Sequence, residues 1–245
     1  MKNKISLMFS GGVDSTYAAV QMARQYDEVR LLTFHNEYGH YRIGRTAKRC
    51  AELKSLFSGR VFHEIISTRT LFERIVVDPL QDDLEKYGSG FVWCMGCKLA
   101  MHAMQIAYDI EHEIQEAADG SSADTSEMVE QTLISISMLT YLYEDYGIAF
   151  APVAYDEPRR SKIAELEHLK LRLGLRIGDR FLGLQPKCKP GEIYYLPYLL
   201  LHQPPKHEEQ NVGRYIREKS GLVREFLAGR GIQPVKDGIH AMLRR

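Results

Sequence analysis

The chain has 245 residues, 44% of them hydrophobic, and its 32 basic side chains balance 32 acidic ones. That is ample apolar material for a sizeable core, while a formal net charge of zero gives no global attraction for a polyanion. No apolar run reaches the roughly 20 residues of a membrane-spanning helix, and residues 1–9 are too short and strand-like for a signal peptide, so the cytoplasm is the expected compartment.

In chain order, Lys4 to Phe9 reads as a buried strand. Ser15 to Tyr26 reads as a helix with Ala18, Ala19, Met22 and Ala23 on one face. Val29 to Phe34 is a second strand, Ile43 to Phe57 a helix, Arg60 to Ile66 a third strand and Leu71 to Val77 a short helix. Residues 79–93, with Pro79, Gly88 and Gly90, read as a loop delivering Trp93 and a Cys-Met-Gly-Cys turn. A helix is expected from Lys98 to Ile110, a strand from Glu113 to Ala117 and a helix from Ser126 to Tyr143. Ile148 to Val153 follows as a strand and Arg159 to Leu173 as a helix. This β/α alternation predicts an α/β fold, a doubly wound parallel sheet covered on both faces, over residues 1–180. Residues 181–245 are expected to form a small C-terminal extension, irregular from Gly183 to Pro205 and helical from Val212 to Gly229. Charge is unevenly spread: no Lys or Arg lies between Lys98 and Arg159, an interval with twelve acidic residues, whereas Asn211 to Arg245 has eight basic residues against three acidic. The basic tail is either an ordinary solvated surface or a region that touches phosphate.

Between the first strand and first helix lies Ser10-Gly11-Gly12-Val13-Asp14-Ser15. Gly11 and Gly12 let the backbone approach a phosphate and adopt positive φ. The N–H groups and dipole of the following helix attract the anion, and Ser10 and Ser15 add hydroxyls. Asp14 repels phosphate and makes sense if Mg²⁺ bridges it to a nucleotide. The string resembles the PP-loop ATP pyrophosphatases, of the adenine nucleotide alpha-hydrolase-like fold. It is distinct from the P-loop of kinases, because the Gly-Lys-Ser/Thr ending is missing. The resemblance implies cleavage of ATP between the α- and β-phosphates, with the adenine against the end of the second strand at Leu32, Thr33 and Phe34.

Cys94 and Cys97 stand at i and i+3, and Cys188 lies 91 residues beyond Cys97. Two such thiolates can grip one centre, and the third completes a three-point hold. The arrangement resembles the sulfur-transferring branch of the PP-loop superfamily. That resemblance implies either a [4Fe–4S] cluster on the three cysteines with one iron left open, or a persulfide and resolving pair without a cluster. Zinc, with His102 as a fourth ligand, and incidental cysteines are the remaining readings. Cys50 fits no such spacing and is expected to be a buried small residue.

The string from Cys97-Lys98 onward, with Ala118-Asp119-Gly120-Ser121-Ser122, Glu130-Gln131-Thr132-Leu133, Ala151-Pro152-Val153 and Arg159-Arg160-Ser161-Lys162-Ile163, resembles the catalytic core of the tRNA 4-thiouridine synthetases. It implies that Gly120 borders the nucleotide and that Arg160 or Lys162 approaches the phosphates. The family has Ser-Gln where this chain has Glu130-Gln131. The expected activity is an ATP- and Mg²⁺-dependent sulfurtransferase. It would adenylate a carbonyl oxygen of a tRNA nucleobase or a small molecule and replace it with sulfur from the Cys94/Cys97/Cys188 centre. Asp14 and the three cysteines are the expected catalytic groups, inorganic sulfide or a persulfide carrier the expected donor, and a homodimer a possible state. Alternatives are a PP-loop ligase using ammonia, with a structural metal site, and a non-catalytic nucleotide-binding subunit.

Overall fold

In the computed structural model, residues 3–171, 185–201 and 207–236 are described. Strand β1 (Lys4–Met8) leads through α1 (Val13–Gln25) to β2 (Glu28–His35), then to the two-residue β3 (His40–Tyr41), α2 (Thr46–Leu56) and β4 (Val61–Ser67). A short α3 (Arg69–Phe72) continues into a π-helical turn at Glu73–Val77. Then come α4 (Leu80–Tyr87), α5 (Phe91–Glu111), β5 (Glu116–Asp119), α6 (Leu133–Asp145), β6 (Ala149–Pro152) and α7 (Arg159–His168). The C-terminal part contributes β7 (Lys187–Cys188), α8 (Lys189–Tyr194), α9 (Leu196–Leu201) and α10 (Glu209–Ala228).

Five parallel strands form one sheet in the order β4-β2-β1-β5-β6. Leu7 pairs with Leu31 on one side and Ala118 on the other, and all three are fully buried, as expected of a strand covered on both faces. The core on one side joins α1, α2 and α7 through Ala19, Leu53 and Leu166. On the other side α5, α6 and α10 pack through Ala103, Leu139 and Val223. The chain first builds outward from β1 through β2 to β4, then returns to the other side of β1 with β5. That reversal opens a crevice at the carboxyl ends of β1 and β5, where open α/β sheets bind ligands.

Several elements differ from expectation. Residues 79–93 are mostly helical: Gly88, at φ 63°, ends α4 in the left-handed conformation, and α5 begins at Phe91. Cys94 and Cys97 therefore sit one turn apart inside a 21-residue helix, not on a turn before it. Gly96 between them is a packing residue, because a side chain there would overlap the Tyr215 hydroxyl and a Val76 methyl. β5 starts three residues later than expected, since α5 runs on to Glu111 and Glu113 turns the chain at φ 55°. The expected helix from Ser126 begins only at Leu133, where Thr132 caps it by accepting the Ser135 N–H; 3₁₀ turns occupy Ala123–Thr125 and Val129–Gln131. The stretch expected to be irregular has regular structure from Lys187 to Leu201, because Cys188 and Lys187 pair with His40 and Tyr41. The expected end of the α7 helix at Leu173, and Gly183, lie outside the described residues.

Among the described residues, three of the eight basic residues from Asn211 onward are paired with acidic side chains of the same chain. Lys219 meets Asp83 at 2.7 Å, Arg224 meets Asp145 at 2.8 Å and Arg230 meets Glu111 at 3.1 Å. These cations neutralise acidic residues of the same chain, and the phosphate-touching reading loses them. Among the described residues no helix is long and apolar enough to cross a membrane.

Two glycine substitutions should move stability in opposite directions. Gly96→Ala forces two helices apart and should cost about 1–3 kcal/mol. Gly221→Ala, on α10 with open space around it, should stabilise by roughly 0.5–1 kcal/mol. Urea unfolding of both variants reads the two signs.

Candidate active site

The loop after β1 is held in a tight form. Gly11 takes φ 72°, as only glycine does readily. Gly12 differs from expectation: at φ −72° and ψ 177° it is the extended N-cap of α1, and no side chain caps the helix. The first-turn N–H groups of α1 are therefore available to an anion. Ser10 and Ser15 lean on each other through their hydroxyls, 3.1 Å apart. From the next crevice wall, Gly120 packs so closely that a side chain would come within 2.7 Å of the Ser15 backbone. That contact brings the β5 exit onto the phosphate loop.

Lys162, fully buried, donates to Asp14 Oδ1 at 2.9 Å and to Ser122 Oγ at 2.8 Å. Arg159 stands 3.8 Å from Asp14 Oδ2. The carboxylate that seemed misplaced beside phosphate thus anchors a cation there. Arg160 is exposed, so of the two candidates Lys162 is the one brought to the loop. A cavity of about 280 Å³ opens beside these groups, lined by Ser10, Ser15, Thr33, Phe34 and Gly120 among others. Thr33 also donates its hydroxyl to the Phe9 carbonyl at 2.7 Å, tying the ends of β1 and β2 together. Val13 is the first residue of α1.

The three cysteines border a second cavity of about 360 Å³. Cys94 and Cys188 both place their sulfurs within 3.8 Å of where a side chain on Gly191 would begin. Cys188 reaches this position because β7 pairs with β3, opposite His40. Cys97 accepts from the Asn36 amide at 3.3 Å and lies 3.7 Å from His40 Nε2. The Asn36 N–H points to His40 Nδ1 at 3.3 Å, which leaves Nε2 as the protonated nitrogen facing the sulfur. Asn36 is itself fixed, its carbonyl oxygen accepting the N–H groups of Tyr38, Gly39 and His40.

Burial pushes all three thiols up, and the neighbouring cysteines and Glu130 push Cys94 and Cys97 further. For Cys188 the Gly191 N–H and the Trp93 indole oppose that rise; the indole N–H is buried and otherwise without a hydrogen-bond partner. Burial also lowers His40, to about 4. Cys50 is buried on α2, its thiol pushed up to about 12 by burial.

Residues 4–85 match the family model of the queuosine biosynthesis protein QueC. A crystal structure of a 4-thiouridine synthetase in complex with RNA and bound ATP superposes over 91% of this chain and 53% of that one, with a TM-score of 0.58 and 13% identity. The chain shares the α/β fold of that synthetase. It spans about half the length of that synthetase. The U34-tRNA thiolase NcsA from Methanococcus maripaludis with its [4Fe–4S] cluster aligns over 90% of this chain and 72% of its own, at 16% identity and a TM-score of 0.46. The NMN synthetase of Francisella tularensis gives 90%, 86%, 11% and 0.45 for the same quantities. Neither of these two adds to the fold assignment.

Sequence reasoning passed over several residues that the fold brings to the site. Lys98 borders both cavities and donates to Asp119 at 2.6 Å and to Ser121 at 2.9 Å. The only signal was its place next to Cys97 and that of Asp119 before Gly120. Asn36 had no signal, and Trp93 only its place before Cys94, since their contacts at the site are distant in sequence. His102 is not beside the cysteines as a zinc ligand would be. It is fully buried, its Nδ1 2.9 Å from the Tyr143 hydroxyl and its Nε2 3.8 Å from Asp119.

As for a resident metal group, among the described residues no three His, Cys, Asp or Glu side chains close on a single ion. Three thiols on one cavity, N–H donors directed at two of them and the orphaned Trp93 indole suit anionic sulfur held by a larger centre. In kind, the residues fit an iron–sulfur cluster.

His102 gives a pH signature. Burial first, then the Lys98 cation, lowers its pKa to about 3, so the folded state keeps it neutral while the unfolded chain binds a proton below about 6.5. Its contribution to stability is therefore full above about pH 6.5 and is lost as pH falls from there towards 3. His102→Gln should flatten this limb by up to about 1.4 kcal/mol per pH unit, measured by denaturant unfolding between pH 4 and 7.

Proposed function

We propose that this chain is an ATP-dependent sulfurtransferase that adenylates a carbonyl oxygen and replaces it with sulfur. One observation carries the reading: the phosphate cavity and the thiol cavity share a wall that includes Lys98, Glu130 and Cys188. A carbonyl at that wall meets the α-phosphate on one side and a sulfur nucleophile on the other.

The triphosphate would lie on the N–H groups after Gly11, with Ser10, Ser15 and Lys162 as donors and the adenine towards Thr33 and Phe34. Asp14 Oδ2, outside hydrogen-bond distance of Arg159, is open to Mg²⁺, which supplies neutralisation of the polyphosphate when bound. The substrate oxygen attacks the α-phosphorus and pyrophosphate leaves. Lys98 and the α1 N–H groups stabilise the developing charge from preset positions, at no cost of reorientation. Oxygen is a poor leaving group until it carries AMP, which is why ATP is consumed. Sulfur presented from the thiol cavity then displaces AMP.

Cys94, Cys97 and Cys188 would hold a [4Fe–4S] cluster by three of its irons. When bound, such a cluster supplies a Lewis-acidic iron open to an external sulfur ligand. Inorganic sulfide or a persulfide carrier would be the donor. Because a 4-thiouridine synthetase of this fold binds RNA and ATP, a tRNA nucleobase ranks ahead of a small molecule as acceptor.

Two measurements test the reading. Anaerobically purified wild type should contain about four irons per chain, with most of that iron lost in Cys94→Ala, Cys97→Ala and Cys188→Ala; wild-type iron in all three variants would end the cluster assignment. Lys162→Met should lower pyrophosphate release by about 10²-fold or more. A rate within threefold of wild type would remove Lys162 from the phosphate site.

A further inference from the structure

Among the described residues, three carboxylates line the two cavities: Asp119, Glu130 and Glu192. Two are neutralised by lysines, Asp119 by Lys98 and Glu192 by Lys187 at 3.1 Å. Glu130 has no cation among the described residues. Its Oε2 accepts a hydrogen bond from the Tyr195 hydroxyl at 2.8 Å. That hydroxyl in turn accepts the Val129 N–H at 3.1 Å, which fixes both side chains. Oε1 makes no hydrogen bond to a described residue. Cys94 and Cys97 on α5, Cys188 on β7 and Tyr195 after α8 face this carboxylate, and Lys98, Lys187 and His40 line the same wall.

Such a carboxylate is electrostatically unwelcome. It raises the three neighbouring thiols, repels a triphosphate and forms no ion pair to offset either effect. What it can do is accept a proton at the point where the two cavities meet. The adenylation step releases one. When the oxygen of an –NH–C(=O)– group attacks phosphorus, the product is cationic unless the N–H proton leaves, and removing that proton gives a neutral O-adenylated imidate.

We propose that Glu130 is the general base of adenylation, and that the substrate is accordingly a cyclic amide whose N–H adjoins the reacting carbonyl, such as a lactam nucleobase. This rests on the sulfurtransferase reading. The carbonyl oxygen forms its bond to the α-phosphorus, the bond from the α-phosphorus to the β-bridging oxygen breaks, pyrophosphate leaves and the ring N–H proton passes to Glu130. Hydrosulfide then adds at carbon, the carbon–oxygen bond to AMP breaks, AMP leaves with its electron pair and the hydrosulfide proton ends on the ring nitrogen. The product is the thiolactam. Tyr195 is a positioning residue that holds Oε2 and leaves Oε1 for the substrate.

The test is AMP and pyrophosphate formation by the full-length, anaerobically purified protein from ATP, sodium sulfide and an unmodified tRNA transcript. Glu130→Gln should be slower by about 10²-fold or more. Glu130→Asp, which keeps a carboxylate, should retain more of the rate than Glu130→Gln, and Tyr195→Phe should lower kcat. Glu130→Gln within threefold of wild type would overturn the proposal. Should Glu130→Gln not fold, Glu130→Ala within threefold of wild type would overturn it equally. If wild type itself forms no AMP dependent on the transcript, the nucleobase sulfurtransferase reading fails instead.

Discussion

The buried ion pair between Lys98 and Asp119 ties the thiol-bearing helix to the crevice at the carboxyl ends of β1 and β5. Lys98 follows Cys97 on α5, Asp119 ends β5, and their side chains meet at 2.6 Å with both almost wholly shielded from water. Burial works against the Asp119 charge, but the Lys98 ammonium and the Lys98 and Ser121 hydrogen bonds hold its carboxyl below the usual range. Removing one partner of such a pair leaves a buried charge uncompensated, at a cost of about 3–5 kcal/mol. The same contact sets how far the cysteines stand from the phosphate loop. The packing of α5 and the proposed reactivity both depend on this one link.

Behind that link runs a chain of hydrogen bonds along a single stripe of α5. His102 meets Tyr143, Tyr143 donates to Gln105, Gln105 donates to Ser6 and Ser6 donates to Asp109. Positions 98, 102, 105 and 109 share a helix face, so each turn of α5 from Lys98 to Asp109 contributes one polar group to the sheet side. Burial pushes Asp109 well above the carboxylate range, consistent with a proton shared inside this network. The network is satisfied except at His102 Nε2 and Asp109 Oδ1, which are buried without a hydrogen-bond partner, and buried networks of this kind favour one packing arrangement. On the opposite flank, Gly96 lets α10 pack its Tyr215 against α5, where the hydroxyl donates to the Val92 carbonyl at 2.9 Å.

The sheet and the phosphate loop were legible in the sequence because their signals are local. The strands are short apolar runs, and the loop is six consecutive residues whose backbone needs are visible one by one. The cysteine spacing was legible too, but not the device that uses it: a two-residue ladder between β3 and β7 brings Cys188 across from the far end of the chain. Gly88 and Gly90 were misleading as loop markers, since one is a helix cap and the other lets the Tyr194 ring approach. Asn36 carries no local pattern, and nothing in the strings that hold Glu130 and Tyr195 shows that the two meet. Asn36 reaches a sulfur 61 positions away and Tyr195 a carboxylate 65 positions away, and only folding creates such pairs.

The account's central claim is that nucleotide and sulfur chemistry face each other across one wall. A crystal structure with a non-hydrolysable ATP analogue tests it most directly. The account predicts the triphosphate on Gly11 to Ser15 and Lys162, with the α-phosphate turned towards Lys98, Glu130 and Cys188. An analogue whose α-phosphate points away from that wall, or whose phosphates avoid the loop, would contradict it.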